Sequence, residues 1–569
     1  MFKLRRFLKH YKKELILGPF FKLLEAIFEL AVPLVMAQII DKGIGNNDSD
    51  YVWKMSGLIV VLGICGLGFA LTCQFFAAKC AYGFGTELRD ALYKHINKFS
   101  HAEIDRFGTS SLITRITNDT VLAQNGVNMF IRLAVRAPFL IVGAAVMSMT
   151  LDLMLSIIFL IAAPIITLII VCVMKKTVPM YKKIQKGLDK ISLLTRENLD
   201  GVRVIRAFSK QEEEKKELIN ESGRLSDNAV IAGKISAILN PVTFMIMNLG
   251  IVAILWFGGI RVDTGYLTQG EITAFVNYMT QILLALVVLA NLVIIFTKAA
   301  SSASRINEVF DTQPSMTDGS DTKFDFSSPA VEFENVSFSY PDAGDLSLNN
   351  ISFTLKKGEI LGIIGGTGSG KSTLANLVPR FYDITSGNIK IFGKDIKKYS
   401  MEELRKLIGI VPQRAALFSG TIADNMRWGK PDATDQEIIS ALKIAQAWEF
   451  VSKLTDGIKT NISQGGKNLS GGQRQRLTIA RALVGNPPVV ILDDSMSALD
   501  YATDLALRKA IESELKDTAV IMISQRATTL QNANHILVLD NGEAAGYGIH
   551  ETLLKNCEEY AEIYKSQMS

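Results

Sequence analysis

Long apolar runs alternate with mixed polar stretches through about residue 300, and six of the runs reach the roughly twenty residues that a helix needs to cross a bilayer. They lie near Leu15 to Ile40, Met55 to Ala78, Phe130 to Met149, Met154 to Met174, Pro241 to Val262 and Ile272 to Phe296. The stretch FKLRRFLKHYKK before the first run is basic and amphipathic, which predicts a helix lying in the cytosolic interface. Lys22, Glu25 and Glu29 interrupt that run and no small-residue cleavage pattern follows it, so it does not read as a cleavable signal peptide.

The connections between runs are very unequal. Those between the second and third and between the fourth and fifth runs are long, and the latter carries Lys175, Lys176, Lys182, Lys183, Lys186, Lys190, Arg196, Arg203 and Arg206. The positive-inside rule places both in the cytosol. The turns at Gly45 to Tyr51 and Leu151 to Asp152 are short and face outward. An even number of crossings then leaves both the N-terminus and everything after the sixth run cytosolic. SSASRINEVFD, Ser301 to Asp311, continues out of the last run, and the polar stretch Thr312 to Pro329 reads as a linker. The expected division is a membrane domain over 1–311, a linker over 312–329 and a soluble domain over 330–569.

From Ala330 the pattern changes to short β-rich runs alternating with helical ones, as in an α/β core. Composition agrees with two unlike halves: the mean hydropathy is positive although 21% of the 569 residues are charged. The net charge of +5 is small and its cations sit in connecting segments, so nucleic acid is not an expected partner. Cys65, Cys73, Cys80, Cys172 and Cys557 form no CxxC pair and read as small buried hydrophobes.

The soluble half carries its chemistry in ordered motifs. GGTGSGKS, Gly365 to Ser372, follows an apolar strand and precedes a helix, the context a phosphate-binding loop requires. Glycines let backbone amides wrap phosphates, Lys371 reaches the β and γ oxygens, and Ser372 binds magnesium. Asp493 ends the apolar strand Val489 to Leu492, which places a carboxylate where it can hold a metal through water. NLSGGQ, Asn468 to Gln473, lies between the two and opens a helix.

Together these motifs resemble the ATP-binding cassette of ABC transporters, and the resemblance extends over nearly the whole chain. It implies a membrane α-helical bundle of six transmembrane helices, type IV ABC exporter-like, followed by a C-terminal α/β P-loop cassette that uses ATP and Mg2+. By resemblance Tyr340 stacks on adenine, and Gly365, Gly366, Thr367, Gly368, Ser369, Gly370, Lys371, Ser372 and Thr373 bind the phosphates. Ser372, Gln413 and Asp493 hold the metal, and Asp500 matches the loop at the dimer interface. Ser470, Gly471, Gly472 and Gln473 would contact the γ-phosphate held by an opposite subunit. FGTSSLITRITND (Phe107 to Asp119) and RENLDGVRVIRAF (Arg196 to Phe208) match the coupling helices, expected to dock on nucleotide-binding domains.

Two catalytic positions depart from the family pattern. Asp494 stands where a glutamate is expected and Gln525 where a histidine is expected. The shorter side chain withdraws the base by about 1.5 Å from a water it must approach to about 3 Å. With Gln413 these two positions make up the catalytic set. The intact Ser470 motif is useful only to a neighbouring cassette, so the expected assembly is a heterodimer with a second, different half-transporter. It resembles the degenerate-site subunit of bacterial multidrug exporters, in the cytoplasmic membrane and among membrane lipids. The implied cargo is an amphipathic drug, lipid or peptide. A regulatory or gating ABC subunit, or an importer on the exporter fold, stays open. Lys22, Glu25 and Glu29 share a face of the first helix, and Arg132 and Arg136 a face of the third. They could line a cavity or pair structurally.

Overall fold

In the computed structural model, which describes residues 2–341 and 343–568, the chain forms two compact units: Met1–Asn97 with Ser110–Thr312, and Lys98–Thr109 with Gln313–Ser569.

The first unit consists of six helices long and apolar enough to cross a membrane, over Lys3–Ile44, Ser49–Ile96, Thr109–Leu151, Leu153–Asp200, Gln211–Asp263 and Gln269–Asp311. All six expected spans lie within them. The helices outrun the apolar runs because polar residues continue the same helical backbone beyond the bilayer. Their boundaries are chemical. Asp48 caps the second helix by accepting from the Tyr51 amide at 3.0 Å, and Asp152 caps the fourth by accepting from the Leu155 amide at 2.8 Å. Thr268 and Glu271 form a capping box at the start of the sixth. The FKLRRFLKHY segment is a 3₁₀ helix, Phe2–Tyr11, with Leu4 buried and Lys3 paired to Asp311 at 2.7 Å.

Ala26, Leu30, Phe159, Ile254, Phe275 and Ile282 belong to one apolar core that ties the first, fourth, fifth and sixth helices together. The buried Tyr278 hydroxyl donates to the Leu30 carbonyl at 2.8 Å, which satisfies a polar group that the bilayer would leave unpaired. Leu67, Phe75, Leu168 and Trp256 are exposed, as expected of a surface bathed in lipid. The third helix is irregular. It widens into π turns at Arg115–Asp119 and Phe130–Ala134 and turns at Val135 before restarting at Arg136. Pro138 has no amide hydrogen for the carbonyl of Ala134, which accounts for the second interruption.

The second unit holds two sheets. A mainly parallel sheet runs in the order Glu543–Gly548, His535–Asp540, Ile360–Gly365, Ala519–Ile523, Val489–Asp493 and Ile408–Val411, with only the first of these antiparallel to its neighbour. Ile360–Gly365 and Val489–Asp493 flank Ala519–Ile523, and all three strands are fully apolar until their ends. An antiparallel sheet pairs Val331–Phe338 with Leu348–Leu355 and with Ser386–Ile391. The stretch after Thr312 is pinned here rather than free: Asp321 bridges to Tyr399, and the Gly319 amide donates to the Tyr399 carbonyl at 3.2 Å.

Lys98–Thr109 also belongs to the second unit. Ser100 caps its short helix, His101–Phe107, and Gly108, at φ 74°, ends it. His101 stacks on Phe381 with ring centroids 4.4 Å apart, and the Tyr382 hydroxyl donates to Asp105 at 2.6 Å. The first expected docking segment therefore moves upstream: most of Phe107 to Asp119 is the beginning of the third helix. In the second, Gly201 breaks the fourth helix and Val202–Ala207 forms a short helix with no buried side chain.

Candidate nucleotide-binding site

The parallel strand Ile360–Gly365 ends on the loop Gly366 to Gly370, and a helix begins at Lys371. Gly368 and Gly370 hold φ of 85° and 97°, where a side chain is strained and the loop can curl back on itself. A Cβ at Gly366 would meet nothing within 4 Å, which leaves the backbone open to a close ligand. The Lys371 ammonium turns into this loop, donating to the Gly365 carbonyl at 2.9 Å and to Ser369 at 3.2 Å. Burial holds its pKa below the ordinary lysine value despite Asp494 and Asp493 nearby.

Val489–Asp493 delivers Asp493 to the same place, and the Ser372 hydroxyl donates to it at 3.2 Å. Asp494 follows in a left-handed turn at φ 45° and accepts a hydrogen bond from Gln413. Burial pushes both carboxyls up, and the Asp494 charge adds to the effect on Asp493. Tyr340 packs edge-on against Tyr382 at 5.2 Å, and its hydroxyl lies 3.1 Å from that of Thr373. Tyr340, Lys371, Gln413, Asp493, Asp494 and Gln525 all line one cavity of about 670 Å³, together with Thr367, Gly368, Gly370, Ser372 and Thr373. Gly365, Gly366 and Ser369 lie behind this lining and supply the acceptors of Lys371. The space is of the size that accommodates a nucleotide-sized ligand.

Comparison with known proteins decides the family. The ABC transporter transmembrane region matches residues 15–287 and the ABC transporter family matches 348–497. The Bacillus subtilis ABC transporter ATP-binding protein YfiB is 38% identical over 567 residues, covering 100% of this chain and 98% of that one. The chain is an ABC transporter. An ABC transporter ATP-binding protein of Mycobacterium tuberculosis is 37% identical over 99% of this chain and 97% of its own length. An ATP-dependent lipid A-core flippase of Haemophilus influenzae is 32% identical over 99% and 96%. In fold, the chain matches a bacterial Atm1-family ABC exporter with ATP bound at a TM-score of 0.82, covering 98% of this chain and 99% of that one at 24% identity. Membrane and ATP-binding domains are thus fused in an exporter-type half-transporter, a multi-pass membrane protein whose cassette binds ATP and couples its hydrolysis to transport.

This ABC transporter keeps its LSGGQ residues away from its own cavity. Ser470 caps the helix Gly471–Leu483 in a capping box with Gln473, whose amide donates to the Ser470 hydroxyl at 3.3 Å. None of Ser470, Gly471, Gly472 and Gln473 lines the cavity. Gly471 is open to space and Gly472 faces the carbonyl of Ala498. Asp500 caps the helix Tyr501–Glu514 and accepts from the Thr503 amide at 2.9 Å. One participant escaped sequence reading. Gln567, in the helix Glu558–Met568, donates to the Gln525 carbonyl at 2.7 Å and accepts from the Ala527 amide at 2.8 Å. No local pattern marks a clamp between residues 42 apart. Asn541 and Gly542 also line the cavity from the turn after His535–Asp540.

Proposed function

We propose that the chain is one subunit of a heterodimeric ABC exporter in the cytoplasmic membrane of a bacterium, its N-terminus and cassette in the cytosol. ATP is hydrolysed mainly at the site that the partner builds around this chain's Ser470 motif. The observation carrying this reading is the pairing of an intact, capped Ser470 helix start with a cavity wall that offers Asp494 and Gln525 to the γ-phosphate. The exposed tip of the fourth and fifth helices supports a second chain: Leu199 and Phe208 are 70% and 73% exposed, an apolar surface that another subunit would cover.

At this chain's own site Tyr340 stacks on adenine, the loop amides bind the phosphates, and Lys371 turns from its loop carbonyls to the β and γ oxygens. Ser372, Asp493 and Gln413 offer a hydroxyl, a carboxylate and an amide oxygen, all hard donors that suit Mg2+. The raised carboxyls of Asp493 and Asp494 fit a place where a cation would relieve unfavourable negative charge. When bound, Mg2+ neutralises charge on the phosphate oxygens. Asp494 is too short to hold the attacking water well, and Gln525 cannot supply an imidazole. ATP is therefore held and turned over slowly here. Closure of the two cassettes on ATP shifts the membrane bundle toward outward opening, and hydrolysis at the partner's site resets it. The cargo is an amphipathic molecule, and the lipid in the name of the Haemophilus relative fits that class.

Two substitutions in the complete transporter separate the sites. Ser470→Arg should lower ATP turnover by about 10² or more, because it places bulk and charge against the γ-phosphate of the working site. Lys371→Ala should cost much less. Equal losses in a steady-state ATPase assay would mean that the two sites are equivalent and the reading is wrong.

A further inference from the structure

Five ionisable side chains meet between the first and third membrane helices. Lys22, buried, pairs with Glu25 at 2.6 Å, and Glu29 accepts from Arg136 at 2.7 Å. Gln281 of the sixth helix donates to the Glu29 carbonyl at 3.4 Å. Arg132 sits in the π turn Phe130–Ala134 and lies, with Lys22 and Glu25, within electrostatic range of the buried Cys73 on the second helix. Four helices therefore converge on the cluster.

The charges do not balance. Lys22, Arg132 and Arg136 oppose Glu25 and Glu29, and Arg132 has no carboxylate within 4 Å among the described residues. Unmet hydrogen bonds occur on the cluster's own residues: Arg136 Nε, a donor, and Gln281 Oε1, an acceptor, are buried with no partner among the described residues, as is Asn128 Oδ1 one turn before Arg132. Asn128, Arg132 and Arg136 succeed one another at four-residue intervals along the interrupted helix. Holding unpaired charge in a bilayer is expensive, and irregular backbone there is tolerated where it is buried or lines a cavity. Pure structural pairing would leave neither the Arg132 guanidinium unpaired nor the Arg136 Nε–H donor unmet. Beside the cluster, Phe21, Phe28, Phe69 and Phe76 form an aromatic group, with Phe28 and Phe69 at 5.2 Å and Phe21 and Phe69 at 6.0 Å. A cationic subsite thus adjoins an apolar one.

We propose that this cluster is a headgroup subsite for an amphiphile bearing an anionic oxygen group, phosphate or carboxylate, with Arg132 and the free Arg136 Nε–H as its donors and the phenylalanines receiving its chain. That this ligand is cargo rests on the export reading above; the site itself does not.

The test is equilibrium binding to the full-length chain in phosphatidylcholine nanodiscs, using radiolabelled dodecyl phosphate, dodecanoate and dodecyltrimethylammonium. The anions should bind about tenfold or more tighter than the cation, and Arg132→Gln should erase about tenfold of anion affinity while leaving the cation unchanged. Arg132→Lys should retain most of it, and ATP binding serves as the folding control. A preference confined to dodecyl phosphate identifies a phosphate ester headgroup; one shared by dodecanoate identifies anionic oxygen in general. Equal affinity for all three probes would overturn the proposal, as would a folded Arg132→Gln chain that binds anions like the wild type, or a folded Arg132→Lys chain that loses them as fully as Arg132→Gln. Should Arg132→Gln fail to fold, the wild-type preference still decides. A chain that binds the anions but does not move them when complete with partner and ATP would contradict the export reading and leave the subsite standing.

Discussion

Asp494 occupies backbone at φ 45°, a region that aspartate and asparagine tolerate better than longer side chains. Its carboxylate is tied to Gln413 and its carbonyl accepts from the Ser497 hydroxyl at 2.8 Å, so the short side chain fits a formed turn. Restoring the base and its partner, Asp494→Glu with Gln525→His, should recover part of the hydrolysis at this site when the partner's catalytic glutamate is replaced by glutamine. Asp494→Glu alone should recover less, because the two groups act as a unit. Single-turnover hydrolysis in the assembled transporter reads the result, and no gain from the pair would show that something other than these residues limits the site. Gln567 bears on the same region through its two hydrogen bonds to the 525–527 backbone. Each is worth about 0.5–1.5 kcal/mol net. Gln567→Ala should therefore raise amide exchange at 525–527, with the change confined to that loop; unchanged exchange would deny the clamp.

Among the elements, the short helix His101–Phe107 depends on a neutral imidazole. Burial between Phe381 and its surroundings holds His101 below its ordinary pKa, and Arg405 pushes it the same way. The unfolded chain therefore takes up the proton first. The stabilising contribution is complete above about pH 6.5 and is lost as pH falls below it toward the depressed folded value. Acidification from pH 7.5 to 5.5 should lower the cassette's melting temperature in the wild type more than in His101→Phe, and parallel slopes in calorimetry would deny that role. Much of this level could be read from sequence. Six apolar runs announced six helices because a bilayer demands about twenty such residues, and the loop at Gly366 to Gly370 announced itself by strand, glycines and lysine. The π turns at Arg115 and Phe130 did not, since a shifted backbone hydrogen bond has no residue code beyond Pro138. The docking helix was misplaced because it starts at the Ser100 cap, upstream of the Phe107 to Asp119 pattern, and Gly108 ends it at that pattern's second residue. Gln567 was invisible because its partners are distant in sequence.

At the scale of the whole molecule, the chain keeps its nucleotide cavity and its LSGGQ residues apart. Lys371, Asp493 and Tyr340 share a cavity that no LSGGQ residue enters, and Ser470 opens a helix whose face toward Gly471 is empty. The exposed Leu199 and Phe208 likewise leave apolar surface uncovered. The second ABC half-transporter proposed above would answer all three. With the working base proposed to lie on that partner, the most direct measurement is steady-state ATP turnover of the complete transporter carrying Asp494→Ala. Turnover should stay within about twofold of wild type, whereas removal of a working general base costs about 10² to 10⁴. A fall of that size on Asp494→Ala would make Asp494 itself the base and contradict the account.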